Sequence, residues 1–323
     1  MLETVLLAVS YAAGAVFLGA IAYRALKIAR LPLHLRWELY PVAHEKGRAR
    51  YGGSYLEEPD WWSRPRQTSL AGELRVMIPE IVLLAGVWEH NRGQWLRSFP
   101  FHFGLYLLAG LIGLLLLGGI ATAVGVEVSG AGSPLGRGLF VATAAVGWTG
   151  LGLCLLGAGA LIVRRVFEAD YREYTTMADY FNLAFFLATL VVALIAHAAS
   201  DPQFALLRAH FARLVTVDVA TATGATLPAS ALTAAEVVMG ALLLAYIPLT
   251  HMSHFFTKWF MYHDIRWSDE PNVRGGRLER EVIEALQYPI SWAAPHIRGD
   301  GRKTWLEVAT TSGVEEEEEE EQR

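Results

Sequence analysis

The segment Pro248-Leu249-Thr250-His251-Met252-Ser253-His254-Phe255-Phe256-Thr257-Lys258 decides how this chain reads. It closes a long apolar run, Ala231 to Leu249, and opens a stretch of basic and aromatic residues. Such a run is long enough to cross a hydrocarbon core, which takes about 20 mostly apolar residues of helix. If the helix continues through the segment, His251 and His254 lie close together on its surface. Imidazoles at a membrane helix end are costly to bury, so they are either solvated at the interface or bound to something.

Working outward, the whole composition agrees with a membrane setting. Hydrophobic residues make up 53 % of the chain and charged residues 18 %, too apolar for an ordinary soluble domain of this length. The formal charge of -5 is misleading, because Glu315 to Glu321 form an unbroken acidic run, and outside it 27 basic residues face 25 acidic ones. Such a run reads as a solvated, disordered end. Nothing points to nucleic acid.

Five segments are long and apolar enough to span: Val5–Tyr23, His102–Val124, Gly138–Val163, Tyr180–His197 and Ala231–Leu249. Met77 to Val87 is too short, carries Pro79 and Glu80, and reads as an interfacial or buried helix. Arg24, Lys27 and Arg30 follow the first span rather than precede it, the reverse of a secretory signal. The connection from Arg24 to Arg97 is dense in lysine and arginine, whereas the next has only Arg137; the third has Arg164, Arg165 and Arg172. Lysine and arginine concentrate on the cytoplasmic side, so the N-terminus is expected outside and the C-terminus in the cytoplasm. The expectation is an all-α integral membrane protein of five transmembrane helices. Its parts are a first span (residues 1–25), a long cytoplasmic loop with an interfacial helix (26–100), and a core of four spans (101–254, with 125–137 and 198–230 outside). A cytoplasmic docking tail (255–314) and an acidic end (315–323) complete the chain.

Depth sorts the histidines. His102 opens the second span and His251 and His254 close the fifth, so on opposite helix directions they lie at one level. Two facing imidazoles with glycines nearby, here Gly104, Gly110 and Gly113, are what a bis-histidine b-type haem needs. The same glycines also suit close helix–helix packing. Cys154, the single cysteine, excludes a disulfide framework and a Cys-x-x-Cys-His attachment, so haem would be held non-covalently and any iron–sulfur cluster would belong to a partner. His197 and Glu236 lie towards the other side. An ionisable residue within a span is a functional candidate, and a Glu or His beside a quinol ring can act as its proton acceptor; the alternative is that both are solvated or hydrogen-bonded at the outer interface. No phosphate-cradling loop, zinc-peptidase helix or nucleophile motif is present.

The five spans resemble the gamma subunit of respiratory nitrate reductase, a membrane di-haem cytochrome b. The resemblance is carried by Phe101-His102-Phe103-Gly104, by Arg164-Arg165-Val166-Phe167 with Tyr174-Thr175-Thr176-Met177-Ala178-Asp179, and by Pro248 six residues before His254. The cytoplasmic run Leu33 to Pro41 and the tail run Trp292 to Ile297 look like the sulfur-metabolism branch, where the cytochrome accompanies a heterodisulfide-reductase-like iron–sulfur protein. The resemblance implies electron transfer between quinone and a cytoplasmic iron–sulfur partner, in the inner (plasma) membrane. It implies His102 and His254 as axial ligands of haem b, with His251 as the alternate for His254. At the two places where the family holds its second haem, this chain has Ile112 and Glu236. The resemblance therefore supports one haem rather than two, with the quinone pocket in the inner half. A haem-free membrane anchor that docks a soluble redox enzyme is the rival of another class.

Overall fold

A computed structural model describes residues 2–31, 42–46, 53–65, 68–217, 230–268, 270–294, 297 and 299–311. The run Leu33 to Pro41, the acidic run Glu315 to Glu321, and Pro295 and His296 within the tail run lie outside these described residues. Among the described residues every regular element is helical, with three isolated β-bridges besides. The α-helices are α1 (Leu2–Ile28), α2 (Leu70–Val82), α3 (Ala85–His90), α4 (Arg92–Ala123), α5 (Pro134–Phe167) and α6 (Ala169–Glu173). They continue with α7 (Met177–Ala199), α8 (Ala205–Thr216), α9 (Ala231–Tyr246), α10 (His254–Phe260), α11 (Arg277–Ala285) and α12 (Trp305–Thr310). Five are long and apolar enough to cross a membrane: α1, α4, α5, α7 and α9 with its extension to Leu249. They coincide with the five apolar segments of the sequence. In a bilayer a helix satisfies its own backbone, which is why apolar runs of this length fold this way.

The chain forms two compact units, one of Met1–Ile21 with Leu74–Ser253, the other of Ala22–Glu73 with His254–Arg323. In the first, α4 and α5 approach so closely that backbones touch. A Cβ on Gly104 would lie 2.6 Å from Cys154 N, and one on Gly157 would lie 2.3 Å from Phe101 N. Cys154 and Ala158 between them are fully buried, and the Cys154 thiol donates to the Phe101 carbonyl at 3.5 Å. Small residues are the means by which membrane helices reach this distance. Helix starts are written locally. Thr176 and Asp179 cap each other's backbone N–H at the start of α7, and Ser133 caps α5 with Pro134 at its first position.

The connection after α7 differs from a plain outer loop. Its residues 205–216 form α8, which is buried against α4: a Cβ on Gly118 would meet the Arg208 side chain at 2.9 Å, and one on Gly119 the Ala212 N at the same distance. Three polar contacts tie α8 to α1: Ser10 Oγ to His210 Nε2 at 3.0 Å, Tyr11 OH to the Leu214 carbonyl at 2.5 Å, and Glu3 to Arg213 at 2.7 Å. Hydropathy passes over α8 because its buried face carries Arg208, His210 and Arg213.

The opening segment is also not a continuous helix. Pro248 has no N–H to donate. The chain leaves α9 through a 3-10 turn at Ile247–Leu249, extends at Thr250, makes a second turn at His251–Ser253, and restarts as α10 at His254. His251 and His254 therefore do not share a helix face, and they fall in different units. In the second unit α10 runs into a π-helical turn, Met261–Arg266, which buries Tyr262 against Trp267 at 4.6 Å and stacks His263 on Trp259 at 3.8 Å. A π turn carries one residue more than an α turn, a rare arrangement that re-aims the chain beyond it.

Two outcomes test this packing. Gly157→Ala, which cannot relax without parting α4 from α5, lowers unfolding stability in detergent by about 1–3 kcal/mol. Gly159→Ala, whose Cβ meets nothing within 4 Å, leaves it unchanged; equal stability of the two variants would contradict a tight seam. Burial, reinforced by the Arg213 guanidinium, holds the His210 imidazole down to about 4. Between that value and the ordinary imidazole value of 6.5 the unfolded chain binds a proton that the folded chain does not, so stability falls as pH drops through this window. Thermal unfolding at pH 7 and pH 5 measures the fall, and His210→Asn is expected to shrink it; an equal fall in the variant would remove His210 as its cause.

Candidate functional site

The polar groups of the first unit gather at two ends of the bundle. At one end, His102 is half-buried on α4, one turn after Ser98 and just past Pro100. Its Nδ1 lies 2.8 Å from the Ser98 carbonyl oxygen and 3.2 Å from the Ser98 hydroxyl. A carbonyl only accepts, so Nδ1 is the protonated nitrogen and the ring's lone pair is on Nε2. Imidazoles that bind metals are commonly oriented by just such a backbone hydrogen bond. Three turns along α4, Gly113 faces the same way as His102, and Gly110 flanks it. A Cβ on either would meet nothing within 4 Å. Of the three glycines predicted beside a macrocycle, Gly104 is taken up by the α4–α5 seam, while Gly110 and Gly113 leave the surface of α4 flat and open. Tyr106, one turn after His102, donates to the Ile81 carbonyl at 2.6 Å and brings the end of α2 beside this face.

The other histidines of this end are reached through α7. Phe101, next to His102, packs edge-on against Phe186 with ring centroids 5.3 Å apart. One turn before Phe186 on α7 is Asn182, whose amide nitrogen lies 3.4 Å from His251 Nε2; its carbonyl oxygen accepts from Tyr246 OH at 2.8 Å. Asp179, a further turn back, lies 3.4 Å from the same His251 nitrogen. Phe101, the neighbour of His102, and His251 itself both contact the N-terminal half of α7. His254 opens α10 in the second unit and its side chain is exposed. Ser98, Asp179 and Asn182 escaped the sequence reading, although an Asp and an Asn one turn apart at the start of an apolar span were a readable signal.

Beyond the ligand end, on the approach to α4, aromatic and basic groups interleave. Trp95 stacks on Phe99 at 4.5 Å and Phe99 on Phe103 at 5.5 Å, with Trp88 edge-on to Trp95. Glu168 receives Arg164 at 2.6 Å and Arg97 at 3.3 Å, and Arg164 lies over the Tyr171 ring at 3.8 Å. Arg164 therefore locks the end of α5 to the start of α4, directly through Gln94 at 2.8 Å and by way of Glu168 to Arg97.

At the opposite end the structure joins two residues that sequence treated as separate candidates. His197, 1 % exposed, meets Glu236 across α7 and α9, Nε2 to Oε1 at 2.8 Å. Its Nδ1 donates to the Asp201 carbonyl at 2.9 Å. The Asp201 carboxylate takes the backbone N–H groups of Ala205, Leu206 and Leu207 and so caps α8. Phe204 lies over the His197 ring at 3.8 Å and fills the notch at Gly147, where a Cβ would fall 2.3 Å from its ring. Arg208, 5 % exposed, completes the cluster, with Nη1 buried and without a hydrogen-bond partner among the described residues. His197 and Glu236 are hydrogen-bonded to each other and buried rather than solvated.

The two polar ends and five apolar helices agree with what comparison finds. The nitrate reductase gamma subunit family model matches residues 88–268, more than half of the chain and the part that holds His102, His197, His210, His251 and His254. No curated protein matches significantly. The chain belongs to the nitrate reductase gamma subunit family, and is on that ground a multi-pass inner-membrane protein of the cytochrome b subunits of respiratory oxidoreductases, a family that binds haem b.

Proposed function

We propose that this chain is the electron-transferring subunit between the quinone pool and a cytoplasmic iron–sulfur protein, holding one haem b between His102 and His254. The observation that carries the reading is the setting of His102: Nδ1 committed to the Ser98 carbonyl, so that the ring's lone pair is on Nε2, with open helix surface at Gly110 and Gly113 on the same side. These residues fit a flat macrocycle. His254 is the second ligand by its distance from Pro248. His251, the alternate, has its Nε2 between Asn182 and Asp179, which suits an orienting role for it. Haem bound there supplies reversible one-electron transfer. The chain's own groups orient the ligand, exclude water through the Phe101–Phe186 contact, and keep the backbone of α4 in place through Gly157.

A count of one haem has two supports. Ile112 and Glu236 occupy the places where the family's second pair of ligands is expected, and neither is a usual haem ligand. The far end is also filled with protein: α8 covers Gly118 and Gly119, Phe204 covers Gly147, and Glu236 is engaged by His197. With a single haem at the His102 end, short electron transfer places the quinone pocket in the same half, the cytoplasmic half in the orientation that the lysine and arginine bias supports. His197 and Glu236, at the other end of the bundle and out of hydrogen-bond reach of a quinol bound there, are assigned to the onward passage of the protons that quinol oxidation releases rather than to their first acceptance. The iron–sulfur partner, of the heterodisulfide-reductase-like kind, is inferred from the sulfur-branch runs Leu33 to Pro41 and Trp292 to Ile297.

A reduced-minus-oxidised visible spectrum of the purified protein, with haem quantified per chain, tests this. One haem per chain is expected. His102→Ala abolishes the Soret band, His254→Ala does the same, and His251→Ala only shifts it. Two haems per chain would overturn the count, and loss with His251→Ala but not His254→Ala would exchange their roles. A protein with no Soret band at all would be a haem-free anchor for a soluble redox enzyme.

A further inference from the structure

The His197–Glu236 contact stands apart because hydrogen bonding alone sets how many protons it holds. Nδ1 of His197 faces a carbonyl oxygen at 2.9 Å and must carry a proton. If Nε2 and the Glu236 carboxylate were both unprotonated, two acceptors would face each other at 2.8 Å in a buried site. The contact therefore holds one proton, as imidazole with carboxylic acid or as imidazolium with carboxylate, and either form is neutral. The other carboxyl oxygen, Glu236 Oε2, is buried with no hydrogen-bond partner among the described residues, and so is Thr233 Oγ1. Thr122, Thr143 and Thr189 each donate to the carbonyl four residues back; Thr233, in the first turn of α9, makes no such bond. Ser230, Thr233 and Glu236 succeed one another at intervals of three, neighbours on the helix surface about 4.5 Å apart along its axis. Ser230 Oγ lies 3.4 Å from the hydroxyl of exposed Ser200.

We propose that Ser230, Thr233 and Glu236 line a proton path on α9, leading from the Ser200–Ser230 end of the bundle to the buried His197–Glu236 pair. Single waters complete the path between successive side-chain oxygens, each held by two or more polar partners. An arriving proton binds Glu236 Oε2, the proton already in the contact passes to Nε2, and imidazolium then donates to Oε1 of a neutral carboxyl. Departure reverses the order. The pair changes from neutral to singly positive, facing the Asp201 carboxylate, 3.8 Å from Nδ1, with Arg208 acting on Asp201 in turn. This path rests on hydrogen bonding within α7, α8 and α9 and holds whether or not the chain binds haem or quinone.

Infrared spectroscopy of the full chain in lipid, transferred from H2O to D2O, tests the path. The band to monitor, protonated carboxyl or imidazolium, is the exchange-sensitive one that disappears in Glu236→Gln. Thr233→Val, which keeps the volume and removes the hydroxyl, slows its exchange by roughly tenfold or more, and Thr233→Ser restores the wild-type rate. Exchange as fast in Thr233→Val as in the wild type would overturn the path. So would equal slowing in Thr233→Val and Thr233→Ser, because serine retains the hydroxyl on which the path depends.

Discussion

Two helix backbones touch only where neither side interposes a side chain, and the remainder of the first unit depends on that condition at Gly104 and Gly157. With a Cβ at Gly157 excluded by Phe101 N, α4 has one depth and one rotation relative to α5. Phe101 is thereby turned towards Phe186 on α7, and His102, the next residue, is turned to the open side of α4 with its Nδ1 on Ser98. The orientation of the imidazole is thus a product of glycine placement on the neighbouring helix. Membrane helices gain little from burying apolar surface against one another, so this interlocking takes the part that hydrophobic burial has in soluble domains.

The five spans were legible in the sequence because length and hydropathy alone specify them. The capping of α7 was legible from Thr176 because the capping residues are local. What escaped was tertiary. α8 reads as polar, since Arg208, His210 and Arg213 look like surface residues until Asp201, Ser10 and Glu3 meet that end of the chain. His197 and Glu236 were each visible as ionisable groups in apolar surroundings, but no spacing joins residues 39 apart; only the packing of α7 on α9 brings them to 2.8 Å. The break at Thr250 was written in Pro248, yet a proline near a helix end signals a stop and not the pair of short turns seen on either side of Thr250.

The two ends of the bundle solve the cost of buried polar groups in different ways. At the His102 end His102 is bonded to the Ser98 backbone, Asn182 links His251 to Tyr246, and the face of α4 beside His102 is left flat by glycine. At the His197 end the groups satisfy one another: Asp201 joins the α8 N-terminus to the His197 ring, and His197 joins Asp201 to Glu236. The first arrangement leaves the glycine face of α4 open, and the second links three helices through one run of side chains.

The closed cluster has a consequence for how the protein senses the membrane. Asp201 and Arg208 offset each other, and the His197–Glu236 pair is neutral while it holds its single proton, so the cluster as a whole bears no net charge. The electric field across a membrane exerts no net force on it in that state. A second proton makes the cluster positive, and moving one charge through the full field changes its energy by about 2.3 kcal/mol per 100 mV. Since the cluster lies only part of the way from one end of α9, a corresponding fraction of that energy enters its proton occupancy. Voltage would then act on this chain through a carboxyl and an imidazole, without any displacement of its helices.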